Sequence, residues 1–388
     1  MSIKVTHVVR QYLPSIGGME EVVRNIALHQ IRNSKQQARV ITLNRLFRNQ
    51  QLELPKREMM EGIEVIRLPY YGSSRYPICP AILREIGDTD VIHVHGVDFF
   101  YDFLAATKWL HKRPLVLSTH GGFFHTKFAS RAKQTYFNTI TRLSSSAYSK
   151  VIATSANDGE MFSQIMATPK LRVIENGVNV EKYADQAALE LQPTLIYFGR
   201  WSANKGLIEA LDLFAQIRAR DDRWHFIIAG REYDHNLADL RAKVDALALN
   251  HHVTLAANPT DEEIKNLIQQ SSYFLCLSHH EGFGIAPIEG MSAGLTPILS
   301  DIPPFKRLVD NADLGFTLSS ATDQGYAENS LAIDRLLNLH SQGDEAYTQC
   351  RKVAIKFAKN YAWPKVAENY LAVYEELALP QKEQAFES

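Results

Sequence analysis

Short apolar runs of strand length recur along the chain with helical or loop segments between them, and after residue 190 the series begins again. The first series occupies 3–9, 38–43, 63–68, 91–94, 115–119, 151–154 and 171–174; the second occupies 194–198, 224–229, 252–256, 272–277, 296–299 and 314–317. A strand followed by a helix returns to the sheet parallel to its predecessor, and helices end up on both faces. The expected fold is therefore α/β, with two Rossmann-like domains. At 388 residues the chain is too long for one ordinary core, and 45% hydrophobic residues suffice for two. No sequence repeat links the halves. The boundary is expected near 183–193, dividing 1–185 from 186–365, with a last helix over 366–377.

Composition removes several function classes. Cys79, Cys276 and Cys350 are far apart and form no C-x-x-C pair, so neither a disulfide framework nor a structural zinc site is indicated, which suits a reducing cytoplasm. Met1-Ser-Ile-Lys-Val-Thr-His-Val-Val reads straight into a strand without an apolar leader, and no uninterrupted apolar run reaches bilayer length. The expectation is a soluble or peripheral protein. The formal charge of −1 hides an asymmetry: residues 1–185 hold 24 Lys+Arg against 16 Asp+Glu, and the remainder 18 against 27. The halves then face different partners, or the difference is drift between two solvated surfaces.

Chemistry concentrates where strands end. The strand Ser272-Tyr-Phe-Leu-Cys-Leu277 runs into Glu281-Gly-Phe-Gly-Ile-Ala-Pro-Ile-Glu289, and a small-residue helix is expected from Ile288 to Gly294. A strand, a glycine loop and a helix N-terminus offer free amides and a positive dipole end to hydroxyl and phosphate oxygens. Glu289 then falls in the first helical turn, where an acid is also stabilised by the dipole alone. After the first strand of this half, Gly199-Arg200-Trp-Ser-Ala-Asn-Lys205-Gly206 sets two cations at a helix entrance, a pairing that suits a diphosphate.

The N-terminal half carries weaker signals. Gly17-Gly18 follows the first strand, but no G-x-G-x-x-G accompanies it, so the dinucleotide fingerprint is missing. Asp88-Thr-Asp90 reads as a turn before the strand Val91-Ile-His-Val-His95, and His93 and His95 share one face of that strand without a recognisable third metal ligand. The strand Leu115 to Thr119 ends at His120-Gly121-Gly122-Phe-Phe-His125. Apolar or small residues at 128, 132, 136, 140 and 143 form one helical stripe, read as core packing, flanked by the basic Lys127, Arg131, Lys133 and Arg142. Lys108, Trp109, Lys112 and Arg113 enlarge that basic patch. Basic residues near an anionic membrane contribute ~1 kcal/mol each.

Glu281-x7-Glu289, with Leu277-Ser278 before it and Gly290-Met-Ser-Ala-Gly294 after it, resembles the signature of the retaining glycosyltransferases of family 4. Arg200 and Lys205 match that family's donor cations, Gly17-Gly18 its first glycine loop, and His120 its strand-end histidine. The run from His120 to Thr126 is similar to the mannosyltransferases that extend a cellobiosyl-diphospho-polyprenol in xanthan and acetan assembly. The resemblance implies a GT-B fold, two Rossmann-like domains facing across a cleft, with the last helix crossing back to the first. It implies a nucleotide-sugar donor, GDP-mannose by the His120 segment, held by Gly17, Gly18, Arg200, Lys205, Gly282, Phe283, Gly284 and Glu289. Glu281 and His120 would lie at the transferred sugar, with Arg200 and Lys205 at the departing diphosphate. Lys127, Arg131 and Lys133 would face a lipid-linked acceptor at the cytoplasmic face of the inner membrane. Neither a metal, a cofactor nor a nucleic acid enters this scheme. A sugar-nucleotide epimerase of the same fold, a UDP-sugar-dependent transferase of the family and a non-catalytic membrane adaptor are the alternatives.

Overall fold

The computed structural model describes residues 2–32, 36–74, 76–121, 134–318 and 325–386. Two compact units result: Met1–Gly177 with Trp363–Ser388, and Val178–Ala362. The crossover thus comes before residue 185, because Val178, Val180, Tyr183 and Ala187 are buried in the core of the C-terminal unit and the Val178 amide donates to the Tyr361 carbonyl at 2.8 Å.

In the N-terminal unit the strands are β1 (Ile3–Val8), β2 (Gln36–Leu43), β3 (Arg45–Leu46), β4 (Asn49–Glu53), β5 (Arg57–Met60), β6 (Ile63–Leu68), β7 (Tyr71–Ser73), β8 (Tyr76–Ile78), β9 (Val91–His95), β10 (Leu115–Ser118), β11 (Lys150–Ala153) and β12 (Leu171–Val173). The main sheet has the order β12-β11-β10-β9-β1-β2-β6-β5, parallel except for the edge strand β5. Its central strands are buried on both faces because helices cover both: no residue of β9 or β10 is exposed, although His93, His95 and Ser118 are polar. The helix Trp363–Phe386 supplies one cover. Val366, Tyr370, Val373 and Tyr374 fall on one stripe and bury against Ile3, Val5, Val91 and Val116. Each such side chain contributes roughly 1.5–3 kcal/mol.

In the C-terminal unit β13 (Thr194–Phe198), β14 (His225–Gly230), β15 (Val253–Ala257), β16 (Tyr273–Cys276), β17 (Thr296–Ser300) and β18 (Phe316–Leu318) form a parallel sheet of order β15-β14-β13-β16-β17-β18. The winding reverses between β13 and β16. Crossovers leave those two strands in opposite directions, so a crevice opens at their carboxyl ends, where such sheets bind ligands.

Candidate active site

The two loops at that reversal are laced together. After β13, the Tyr197 hydroxyl donates to the Arg200 carbonyl at 2.9 Å, and the Trp201 amide donates to the Arg231 carbonyl at 2.8 Å. A 3-10 turn, Ala203–Lys205, follows, with the Ala203 amide on Asp234 Oδ2 at 2.9 Å. Gly206 then opens the helix Leu207–Arg220 at φ +64°. A Cβ there would stand 2.1 Å from the Leu277 carbonyl oxygen, so only glycine fits. After β16, the His279 amide donates to the Asn204 carbonyl at 2.8 Å and Asn204 Nδ2 donates to the His280 carbonyl at 3.3 Å. This lacing delivers the Lys205 ammonium onto Glu281 Oε1 as an ion pair, and the Ser278 hydroxyl donates to the same oxygen at 2.8 Å.

Gly284, at φ +109°, begins the helix Ile285–Ala293, with Pro287 tolerated in its first turn. The helix therefore starts before the expected Ile288, and Glu289 belongs to its second turn rather than its first. Its environment is set by burial instead of the dipole: burial pushes the carboxyl up to about 7, with Lys182 pulling it down and Asp261 pushing it further up. Arg200, Lys205, Glu281, Phe283, Gly284 and Glu289 line one cavity of about 590 Å3. Gly282 is exposed beside it and is not part of the lining. The Arg200 guanidinium lies over the Tyr233 ring, 5.5 Å from its centroid. Two cations and a helix N-terminus suit a doubly charged anion, and two carboxylates suit hydroxyl hydrogens.

Sequence reasoning missed Lys182 and Tyr183 here, and named Ser278 only as a neighbour of the motif without a role. Lys182 pairs with Asp261 at 2.7 Å and lies over the Tyr183 ring at 4.8 Å, and both line the cavity. No local pattern marks Lys182, which comes from the crossover segment and reaches the cavity only through the fold.

In the N-terminal unit the winding reverses between β1 and β9, and a smaller cavity of about 120 Å3 opens there, lined by Arg10, Met19, Gly96, Thr119, His120 and Asp158 among others. Gly17 and Gly18 lead into the helix Gly18–Arg32 and do not line it. His120 sits at φ +52°, a conformation uncommon for a residue with a side chain, and burial pushes its imidazole down to about 4. His93 and His95 do have a third neighbour, contrary to expectation. His7 on β1 brings its ring nitrogens within 4.8 Å of theirs, and all three are buried rather than facing a crevice.

The proposed acceptor residues Lys127, Arg131 and Lys133 lie outside the described residues, as does His125. The described part of the stripe points opposite to expectation: Ile140 and Leu143 are 46% and 75% exposed, while Phe137, Thr141 and Ser144 are buried. The buried residues keep the spacing of the expected stripe but stand one position further along the chain, on a segment that includes a π-helical turn over Phe137–Thr141. Trp109 and Leu110 are exposed as well, at 72% and 50%.

Residues 16–182 match the family described as Glycosyltransferase Family 4, and residues 179–357 match Glycosyl transferases group 1. Over 384 residues the chain is 48% identical to the "GDP-mannose:cellobiosyl-diphosphopolyprenol alpha-mannosyltransferase" of Xanthomonas campestris, across 99% of this chain and 100% of that protein. The chain belongs to glycosyltransferase family 4. The transferase is also 38% identical to the protein of the same name from Komagataeibacter xylinus, across 99% and 96% of the two chains. A glycosyltransferase structure from Rickettsia africae ESF-5 superposes with a TM-score of 0.73 at 18% identity, across 97% and 98% of the two chains. The fold is GT-B, two Rossmann-like units each with a parallel sheet.

Proposed function

We propose that the transferase moves mannose from GDP-mannose, with retention at the anomeric carbon, onto a disaccharide carried by a polyprenyl diphosphate. The observation that carries this reading is the 48% identity, end to end, with a protein named for that donor and acceptor. The cavity of the C-terminal unit supports it chemically. Arg200 and Lys205 take the diphosphate, Glu289 the ribose hydroxyls, and Glu281 with the nearby amides the sugar hydroxyls. In the reaction the bond from C1 to the phosphate oxygen breaks and a bond from C1 to the acceptor oxygen forms on the same face. The acceptor's hydroxyl proton passes to the departing phosphate, and the cations stabilise the charge left on GDP. The reading assigns that charge to protein cations, with no metal required. Gly17, Gly18 and His120 serve the same transfer.

The same reading places the protein at the cytoplasmic face of a membrane, where a polyprenyl acceptor resides. Exposed Trp109, Leu110, Ile140 and Leu143, accompanied by Lys108, Lys112, Arg113 and Arg142, support this. No helix among the described residues is long and apolar enough to cross a bilayer.

Thermal melting with GDP- and UDP-sugars tests the donor. A ligand at about a hundred times its Kd stabilises by roughly 2.7 kcal/mol. GDP-mannose is expected to raise Tm and UDP-glucose to leave it unchanged; the reverse response would replace the donor.

A further inference from the structure

Five polar side chains of the N-terminal unit form one continuous line of hydrogen bonds, and its direction is fixed at one end. The Leu371 backbone carbonyl and Glu375 Oε1 accept from Gln36 Nε2 at 3.3 and 3.4 Å. Neither can donate. Gln36 therefore presents its oxygen to Gln30, whose Nε2 donates to it at 3.2 Å, and Gln30 presents its own oxygen to His7 Nε2 at 2.6 Å. Flipping either amide would set oxygen against oxygen along the line. His7 must then carry its hydrogen on Nε2, which leaves a lone pair on Nδ1. His95 Nε2 donates to that lone pair at 3.0 Å, and His120 Nε2 donates to His95 Nδ1 at 3.0 Å. The line ends on His120 Nδ1, which bonds to nothing among the described residues.

The logic needs neutral rings, and burial supplies them: it pushes His7 and His120 down to about 4, and His95 well below its ordinary value. His7 Nδ1 and His95 Nε2 stand 3.0 Å apart, the separation of a hydrogen bond, and both nitrogens of the neighbouring His93 are engaged by Tyr374 and Ser118.

We propose that Gln36, Gln30, His7 and His95 are positioning residues that lock His120 in its Nε2–H tautomer, so that Nδ1 offers a lone pair at the carboxyl edge of the sheet. A neutral lone pair accepts from a hydroxyl and repels a phosphate oxygen. His120 accordingly recognises a sugar hydroxyl, not the diphosphate. That consequence rests on the proposed transfer reaction; the tautomer does not. His120 also sits in an unfavourable backbone conformation, a strain of the kind that surrounding structure must over-determine.

Full-length protein with 15N-labelled histidine rings tests the tautomer directly, with the His120 signals assigned by their loss in His120→Phe. Near pH 7, His7, His95 and His120 are each expected to show a protonated Nε2 and an unprotonated Nδ1. A His120 Nδ1–H, a charged ring, or a stoichiometric divalent metal in the purified protein would overturn the proposal. Activity supplies the second arm. His95→Phe removes the acceptor for His120 and is expected to lower kcat about five- to tenfold with donor KM unchanged. His95→Asn places an amide oxygen where Nδ1 stood and is expected to recover most of that loss. Equal losses in both would mean packing alone and would overturn the positioning role. Should His95→Phe not fold, the ring signals of the unsubstituted protein still decide. If no sugar is transferred at all, the tautomer reading stands or falls separately on the same signals.

Discussion

Lys205 and Glu281 neutralise each other before any donor arrives, and the Ser278 hydroxyl on Glu281 Oε1 fixes where that happens. In the proposed reaction a diphosphate competes with a carboxylate for the ammonium, and the freed carboxylate is left to sugar hydroxyls. Lys205→Ala is expected to lower kcat by about 10²–10³ in a mannose-transfer assay. Glu289 yields a pH prediction. Its folded pKa is raised, to about 7, so the stability it contributes is present below its unfolded value and lost as pH rises through 7. Glu289→Gln should therefore raise Tm near pH ~8 and leave it unchanged near pH ~4, by roughly 2–4 °C per kcal/mol relieved. If Glu289 holds the ribose as proposed, GDP binding should run the other way, because an ionised carboxylate accepts ribose hydroxyls. Calorimetric affinity is expected to weaken about tenfold per pH unit below 7 and to become flat with pH in Glu289→Gln.

At the scale of elements, the parallel strands were legible because fully buried strands read as apolar runs of fixed length: Ile63–Leu68 and Thr194–Phe198 fall where the sequence places them. The pairs β3–β4 and β7–β8 were not, because β4 and β7 are exposed throughout and have no apolar alternation to reveal them. Helix starts set by backbone conformation also escape periodicity, which is why Gly284 hid the start of the helix carrying Glu289. The stripe at 136, 140 and 143 was misplaced for another reason: Phe137, Thr141 and Ser144 share its spacing one residue on and carry the buried face, although two of them are polar. Two predictions belong here. Gly206→Ala must place a Cβ in the left-handed region, at about 1–2 kcal/mol, and against the Leu277 carbonyl. Urea unfolding should show at least that loss, accompanied by weaker nucleotide binding. Trp109→Glu with Leu143→Glu should abolish cosedimentation with anionic vesicles while GDP affinity stays unchanged; unchanged cosedimentation would remove the membrane patch from the account.

For the whole molecule, each unit gathers its polar residues where its own sheet reverses its winding, between β1 and β9 in one and between β13 and β16 in the other. That organisation was readable from alternating strands and helices. The identity of the partners was not. Lys182 reaches Glu289's cavity from the crossover, and Tyr374 of the last helix bonds His93 Nδ1 at 2.6 Å from 281 positions away, contacts that only the finished topology creates. The central claim is transfer of mannose to a lipid-linked acceptor, and it is tested most directly by incubating the purified protein with GDP-mannose and polyprenyl-diphospho-cellobiose and analysing the lipid product. The account predicts one added mannose in α linkage, lost in Lys205→Ala. A product formed from a UDP-sugar with none from GDP-mannose would contradict it.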